Sequence, residues 1–595
     1  MIKSIKEFFL LLAYEQRKKI YKLQILIVLM TLLELVGIAS IIPFMSLLGD
    51  INVLQEEGVL SKIYIYSGME SPESFTFVLG FLVLISLTIS SLTSIFTTYK
   101  LSMFASYTGT EIADRLYQYY MHRDWIFHTS NTSASLTKQI ANEAQRVTTL
   151  ILMPLMQINS RIVFSSTLLL AIFLYNPYVA IVGIFIFTLS YFILFKTVRK
   201  RLHSNGKIIS ETMSERYKLM NEGFGGIKET LLLGRQDFYV DDFRLTGQKF
   251  AKAQGLNIVL AQGPKYLMEL MAFGSLIALV LFLFKFYDGN LSEILPVLSV
   301  YALASFKLLP AFQQIYAYIA QIRGNISAFE AIKDDLNNSQ FHKYQKNMDN
   351  SQLIVKNTIN LNGIFFKYPQ KEKYSLEDIN LNIKIGSVVG VVGSSGSGKS
   401  TMIDLLLGLL TPEKGQLLVD DVEIHDIRKW QDKIGFVSQS IFLSQGSIAE
   451  NIAFGIPFNK IDLRQIEKAL KMSHLTEMVN ELPSGINTKI GERGVQLSGG
   501  QRQRIGIARA LYHDAEILVF DEATSALDGI TEKIIMDEIK KFIGKKTIIM
   551  IAHRIKTIEQ CDVIFVLESG KIVDSGNYKE LMKKNEHFNN LAKNT

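Results

Sequence analysis

The sequence predicts an all-α, six-helix transmembrane domain followed by an α/β P-loop domain. Three observations lead there. Apolar runs of bilayer-crossing length recur through the first part of the chain. Basic residues alternate with acidic ones from one connection to the next. Beyond a polar stretch, short β-branched runs alternate with helical ones around 393-GSSGSGKS-400. The expected boundaries are 1–336 for the membrane domain, 337–352 for a linker and 353–595 for the P-loop domain.

Composition sets the frame. The chain has 595 residues, 48% hydrophobic and 20% charged, with only 39 Gly and 11 Pro. That excludes a small binding module, a disordered chain and a collagen-like one. A mean hydropathy of +0.20 beside that much charge points to two unlike halves averaged together. The single cysteine, Cys561, excludes an intrachain disulfide and a cysteine metal cluster. The formal charge of +7 is modest for this length.

The spans are expected near Leu23–Leu48, Phe75–Ile95, Leu150–Tyr175, Tyr178–Phe195, Leu267–Phe286 and Ile294–Ile319. Buried helices of a soluble protein are the alternative, but six such runs would need an unusually large helical core. Lys3, Lys6, Arg17, Lys18, Lys19 and Lys22 place the N-terminus in the cytoplasm. Asp50, Glu56, Glu57, Glu70 and Glu73 mark the next connection as external. Arg115, Arg123, Lys138 and Arg146 mark an internal connection, and so does the basic segment from Lys196 to Lys252. These charges serve topology and anionic lipid rather than nucleic acid. Residues 1–22 read as an amphipathic interfacial helix rather than a signal peptide. Both internal connections are too long for structureless loops. They are expected to be helical extensions of the spans, with tips near His122–Trp125 and Asn221–Ile227.

In the second domain, 393-GSSGSGKS-400 fits G-x-x-x-x-G-K-[ST] between a β-run and a helix. Gly393, Ser394, Ser395, Gly396, Ser397 and Gly398 let backbone N–H groups close around phosphates. Lys399 reaches the β- and γ-phosphates, and Ser400 supplies a Mg²⁺ ligand. Asp521 and Glu522 end the apolar run 517-ILVFDE-522. Asp521 would hold Mg²⁺ through water, and Glu522 would polarise the water attacking the γ-phosphate. Solvated turn carboxylates are the plain alternative for this pair.

The stretch 497-LSGGQRQR-504 resembles the signature of ATP-binding cassette proteins. It occurs with 437-VSQS-440, 525-SALD-528, 551-IAHR-554 and the aromatic of 365-FFKYP-369 in that family's order and spacing. Six spans before one cassette is the layout of exporter-type half-transporters. The resemblance implies that Tyr368 stacks on adenine and that Thr401 sits beside the phosphate loop. It implies that Gln439 contacts Mg²⁺ or the lytic water, and that His553 contacts the γ-phosphate. Ser498, Gly499, Gly500 and Gln501 would meet ATP held by another subunit, with Asp528 at the seam. The segment 490-IGERG-494 resembles the loop that senses the opposing membrane domain. The cofactors implied are ATP and Mg²⁺. A homodimer is expected over a heterodimer, because Glu522, His553 and the signature are all intact.

Ionisable residues in or beside spans are costly and usually line a pathway. Glu34, Arg161, Lys265, Glu269 and Lys307 are the candidates, although Lys265 and Glu269 also suit a same-helix pair and Lys307 could snorkel. The stretches 222-EGFGGIKETLLLGRQ-236, 263-GPKYLMELMAF-273 and 306-FKLLPAF-312 are similar to those of bacterial lipid-linked oligosaccharide flippases. That similarity implies Lys265 and Lys307 as substrate contacts, with Lys where that family has Arg, and a short external helix after the first span, for which 51–66 is apolar enough, with a simple external loop as the alternative. The reading is an ATP-driven flippase of the bacterial cytoplasmic membrane with both termini inside. It would move an amphipathic substrate, foremost a polyprenyl-pyrophosphate oligosaccharide. Lipid A, a drug or a peptide is the alternative cargo, and a cargo-free ATP-gated channel or regulator is the alternative class.

Overall fold

The computed structural model describes residues 2–49, 54, 58–175, 177–286, 291–341, 353–369, 371–491, 494–522, 529–552 and 555–593. The chain forms two units, Met1–Arg123 with His128–Gln345, and Asp124–Phe127 with Lys346–Thr595.

The first unit is helical. Helix α1 (Ile2–Leu11) precedes α2 (Tyr14–Ala39) and α3 (Ile41–Gly49), which together carry the first expected span. Helix α4 (Val59–Ser67) lies within the connection expected to be external and ends on Gly68, whose φ of 65° suits a residue without Cβ. Leu60 and Tyr64 of α4 pack against Leu47 and Phe75. The expected surface helix at 51–66 is thus observed in its second half, and residues 51–53 and 55–57 lie outside the described residues.

Helix α5 (Pro72–Met121) runs for 50 residues from a Ser71 cap and a first-turn proline. At 1.5 Å per residue that is about 75 Å, against about 30 Å of hydrocarbon, so the span continues as an extension. The chain returns through α6 (Trp125–Ser130), α7 (Ser133–Lys138), α8 (Ala144–Val147) and α9 (Met153–Tyr175), with π-turns at Gln139–Glu143 and Thr148–Leu152. Next come α10 (Pro177–Gly225), α11 (Ile227–Leu232), α12 (Gln236–Gln262), α13 (Pro264–Phe286) and α14 (Leu291–Phe341). The expected tips coincide with the breaks α5–α6 and α10–α11. Tyr14–Gly37, Pro72–Met121 and Ser133–Leu174 are long and apolar enough to cross a membrane among the described residues. The fourth to sixth expected spans lie on α10, α13 and α14.

Polar contacts fix these helices. Glu143 is fully buried, with Lys138 Nζ at 3.3 Å and Arg146 Nη1 at 2.8 Å. Arg146 also donates to Ser210 of α10 at 2.8 Å and to Asn325 of α14 at 3.1 Å. Compensation of this kind is what makes a buried carboxylate tolerable. Helices α10 and α14 touch so closely that a Cβ at Gly206 would lie 2.3 Å from the Gly324 carbonyl oxygen. The Leu11 carbonyl that ends α1 accepts from Arg115 (3.1 Å) and Gln340 (2.9 Å), tying α1 to α5 and α14.

The second unit holds two sheets. The smaller has the order β2-β1-β4-β5, from β1 (Thr358–Phe366), β2 (Leu376–Lys384), β4 (Lys414–Val419) and β5 (Val422–Glu423), with β3 (Val388–Gly393) in the other sheet. The larger has the order β10-β9-β3-β8-β7-β6, adding β6 (Ile434–Val437), β7 (Ile517–Asp521), β8 (Thr547–Ile551), β9 (Val563–Glu568) and β10 (Lys571–Gly576). Only β10 runs antiparallel to its neighbour in that sheet. Buried strands such as β3, VVGVVG, read as continuous apolar runs because both faces are covered. The helices here include α15 (Lys399–Leu406), α16 (Ile427–Gln431), α17 (Ile448–Ile452), α18 (Leu463–Met472), α19 (Thr476–Glu481), α20 (Gly499–Tyr512) and α21 (Gly529–Lys540). Because β3 and β7 both run parallel to β8, the loops that follow them emerge at one sheet edge. That carboxyl edge is where open α/β sheets hold ligands.

Candidate functional site: a phosphate cradle and a charged membrane cavity

The loop after β3 owes its shape to glycine. Gly396 and Gly398 have φ of 81° and 104°, and at Gly393 a Cβ would meet the Leu567 carbonyl oxygen at 2.2 Å. The loop feeds α15, whose N-terminus adds a favourable dipole for an anion. Lys399 is buried and donates to the carbonyls of Gly393 (2.8 Å) and Ser394 (2.9 Å). Burial lowers its pKa, while the Glu522 and Asp521 charges act the other way. Ser394, Ser395, Gly396 and Ser400 face solvent. The buried Ser397 hydroxyl has no hydrogen-bond partner among the described residues.

Asp521 ends β7 and Glu522 follows it with φ of 49°, an uncommon conformation for a residue with a side chain. Its carboxylate accepts from Gln439 Nε2 at 2.6 Å, so the residues after β6 and β7 meet beside the loop. Tyr368, half-buried beyond β1, stacks edge-on against Phe366 and lies 3.4 Å from the Thr401 hydroxyl. Ser498 caps α20: its hydroxyl accepts from Gln501 N–H, and Gln501 Oε1 accepts from Ser498 N–H at 2.8 Å. This capping box leaves Gly499 and Gly500 as first-turn N–H groups without intrahelical partners. His553 and Asp528 lie outside the described residues, as do residues 492 and 493 of the 490–494 segment.

In the first unit a cavity of about 840 Å³ is lined by all five ionisable candidates. Glu34 comes from α2, Arg161 from α9, Lys265 and Glu269 from α13, and Lys307 from α14. Lys265 Nζ lies 3.8 Å from Glu269 Oε1, so the same-helix pairing forms. Gln313 also reaches Glu269, at 3.3 Å. Arg161 and Lys307 line the same cavity and make no ion pair among the described residues. The buried Gln314 side-chain oxygen there is also without a partner among them.

Comparison with known proteins meets this geometry. The family model for the ABC transporter transmembrane region matches residues 23–306, and that for ABC transporters matches 376–525. An ATP-dependent lipid A-core flippase of Pectobacterium atrosepticum is 33% identical over 67% of this chain and 68% of its own length. The chain belongs to the ABC transporter family. The transporter also aligns over 94% of its length, at 28% identity, with 97% of the flippase of that name from Pseudoalteromonas translucida. Against other curated relatives it spans just under two thirds of their length, 66% and 63%. Its fold is that of a bacterial Atm1-family ABC exporter solved with ATP bound, at a TM-score of 0.79 and 20% identity, covering 96% of this chain and 98% of that one.

The transporter is thus a helical membrane domain followed by an ABC ATPase domain. The cradle suits ATP: glycine conformations, a helix N-terminus, the orphaned Ser397 hydroxyl and a buried lysine converge on it. Mg²⁺ would be held by Ser400, Asp521 and Gln439, all oxygen donors. Among the described residues no cluster of three His, Cys, Asp or Glu could hold a metal alone. Nucleotide phosphates would therefore complete the shell, as Mg²⁺ commonly requires.

Two features escape motif reading. Asp124–Phe127 belong to the second unit, where Ile126 packs on the sheet core and Trp125 hydrogen-bonds Asp404 of α15. Burial pushes the Asp404 carboxyl up to about 6, with the Asp521 charge adding and the Trp125 bond opposing. The other is the division of labour in the cavity, where Lys265 is ion-paired and Arg161 has no ion pair among the described residues. Only span helices packed together reveal it.

Proposed function

We propose that two copies of this chain form an ATP-driven flippase. It moves an amphipathic lipid with an anionic, phosphate-bearing headgroup across the bacterial cytoplasmic membrane, with both termini in the cytoplasm. The observation that carries the reading is Arg161 and Lys307, two cations without a carboxylate partner among the described residues, in a cavity of about 840 Å³. Cations without a carboxylate partner beside a membrane span favour an anion, and a guanidinium can clasp a phosphate through two hydrogen bonds. A polyprenyl-pyrophosphate oligosaccharide fits this chemistry and is the cargo proposed. The names of the relatives favour a second reading within the same class, a lipid A-core glycolipid.

Dimer formation has two supports. The Gly499 and Gly500 N–H groups at the start of α20 would bind the γ-phosphate of ATP held by a second copy, closing both sites at once. The second tip is strongly apolar yet exposed, with Phe224 at 76% and Leu232 at 82%. An apolar tip left in water calls for a partner, and exposed Phe442 and Phe454 on a second copy's cassette offer one.

Reconstitution in liposomes tests the reading. Polyprenyl-pyrophosphate oligosaccharide, lipid A-core glycolipid and phosphatidylcholine would be compared for ATP-dependent leaflet exchange. The expected result is exchange of the oligosaccharide lipid, with little phosphatidylcholine movement. Exchange of the lipid A-core glycolipid alone selects the second reading. Exchange of neither glycolipid, or of phosphatidylcholine equally well, overturns the headgroup assignment.

A further inference from the structure

A second lipid-sized cavity lies against the first span, nearer its N-terminal end. It has about 340 Å³ and sits between α1, α2 and the stretch running from the second π-turn into α9. Phe8, Leu12, Ile20, Leu155 and Ile162 give it apolar walls. The amides of Gln24 and Asn159, both lining it, bond to each other across α2 and α9.

Basic residues outnumber acidic ones around it, with Arg17, Lys18, Lys19 and Lys22 against Glu7 and Glu15. Arg17, Ile20 and Gln24 share one face of α2 by their spacing of three and four residues. Arg17 therefore stands about a turn beyond the cavity, toward the N-terminal end of the helix. Its Nε is buried and has no hydrogen-bond partner among the described residues. Lys18, Lys19 and Lys22 are exposed on the same turns. Glu7 of α1 is already engaged by Lys333 at 2.9 Å. The site thus presents an apolar slot with a partly exposed guanidinium about a turn beyond one end. A fatty-acyl chain fills such a slot, and its phosphate belongs where an interfacial arginine meets water.

We propose that this cavity binds a resident anionic glycerophospholipid, with an acyl chain between α1, α2 and α9 and the phosphate against Arg17. The lipid belongs to the leaflet that α1 lines. Because α1 is itself tied to α5 and α14 through the Leu11 carbonyl, the lipid would buttress the joint where these helices meet.

The test weighs the intact protein with its bound lipid by native mass spectrometry. Purified full-length protein is first equilibrated with equimolar dioleoyl-phosphatidylglycerol and dioleoyl-phosphatidylcholine. Phosphatidylglycerol should be retained about fivefold over phosphatidylcholine, the preference expected for one interfacial basic residue. Arg17→Gln should bring that ratio to about one, whereas exposed Lys19→Gln should leave most of it. Ile162→Trp, at a position 46% exposed and so tolerant of bulk, should reduce retention of both lipids. Equal retention by the unsubstituted protein overturns the proposal. So does a preference that survives Arg17→Gln, or full retention by Ile162→Trp. Retention of neither lipid by an intact dimer would mean that a second copy covers the cavity, and overturns it as well.

Discussion

In the second unit the candidate phosphate-binding residues are chain neighbours, 393–400, at the junction of one strand and one helix. In the first unit the charged cavity draws on positions 34, 161, 265, 269 and 307, spread over four helices. The cradle's donors are backbone groups fixed by glycine φ values. The cavity's donors are side chains whose availability depends on who their neighbours are: Lys265 is held by Glu269, and Arg161 and Lys307 have no carboxylate partner among the described residues. A local site tolerates change elsewhere in the fold, whereas an assembled one depends on every helix that contributes.

The largest effect should come at the local site. Glu522→Gln should lower ATP hydrolysis by ~10²-fold or more, as loss of a general base does, and trap a nucleotide-bound dimer. Phosphate release at the unsubstituted rate would remove Glu522 from the chemistry.

The assembled site should be vulnerable at a distance. Glu143→Ala leaves Lys138 and Arg146 buried without their carboxylate and should cost about 3–5 kcal/mol. Glu143→Gln, which keeps an acceptor for Arg146, should cost less. A thermal midpoint unchanged by both substitutions would show that the triad does not hold the helices.

Within the cavity the pairing pattern sets the next effect. Arg161→Ala or Lys307→Ala should each slow glycolipid exchange ~10-fold, the scale of a charged hydrogen bond, with basal ATPase nearly unchanged. Lys265→Ala should do less, because Glu269 already engages that lysine. An equal loss in all three would erase the distinction between cations with and without a carboxylate partner.

The smallest effect concerns pH at the cassette. The Asp404 carboxyl lies at about 6 in the folded unit, above about 4 in an unfolded chain. The folded unit therefore binds the proton more tightly. That contribution is whole below about pH 4 and is lost as pH rises through about 6. Asp404→Asn should raise the cassette's midpoint at pH 7.5 by about 2–4 °C, for a half-buried group worth ~1 kcal/mol. At pH 4 it should bring no gain. A gain of equal size at both values would assign the effect to something other than ionisation.

Reading the chain reached the cradle almost residue by residue, because a strand, a glycine loop and a helix start are short-range structures. The span helices and both tips were legible for a similar reason: apolar length and basic flanks are one-dimensional signals. The external helix was legible as an apolar stretch, but α4 begins at Val59, where Gly58 and Gly68 bound it. The partner of Trp125 was not legible, since Asp404 lies far along the chain, with no local pattern connecting the two positions. Nor was the choice among cavity cations. Spacing alone allowed the Lys265–Glu269 pair and could not say that Arg161 would face the same space.

The sequence by itself determined the two-part architecture, the phosphate loop with its acidic strand end, and which intramembrane residues carry charge. These follow from hydrophobic length, glycine conformation and residue type, all set within a few positions along the chain. Tertiary structure decided which charges share a cavity, which are already neutralised, and how Glu143 and Arg146 bind three helices together. Those outcomes depend on distances between residues far apart in the chain, and such distances exist only once the helices pack.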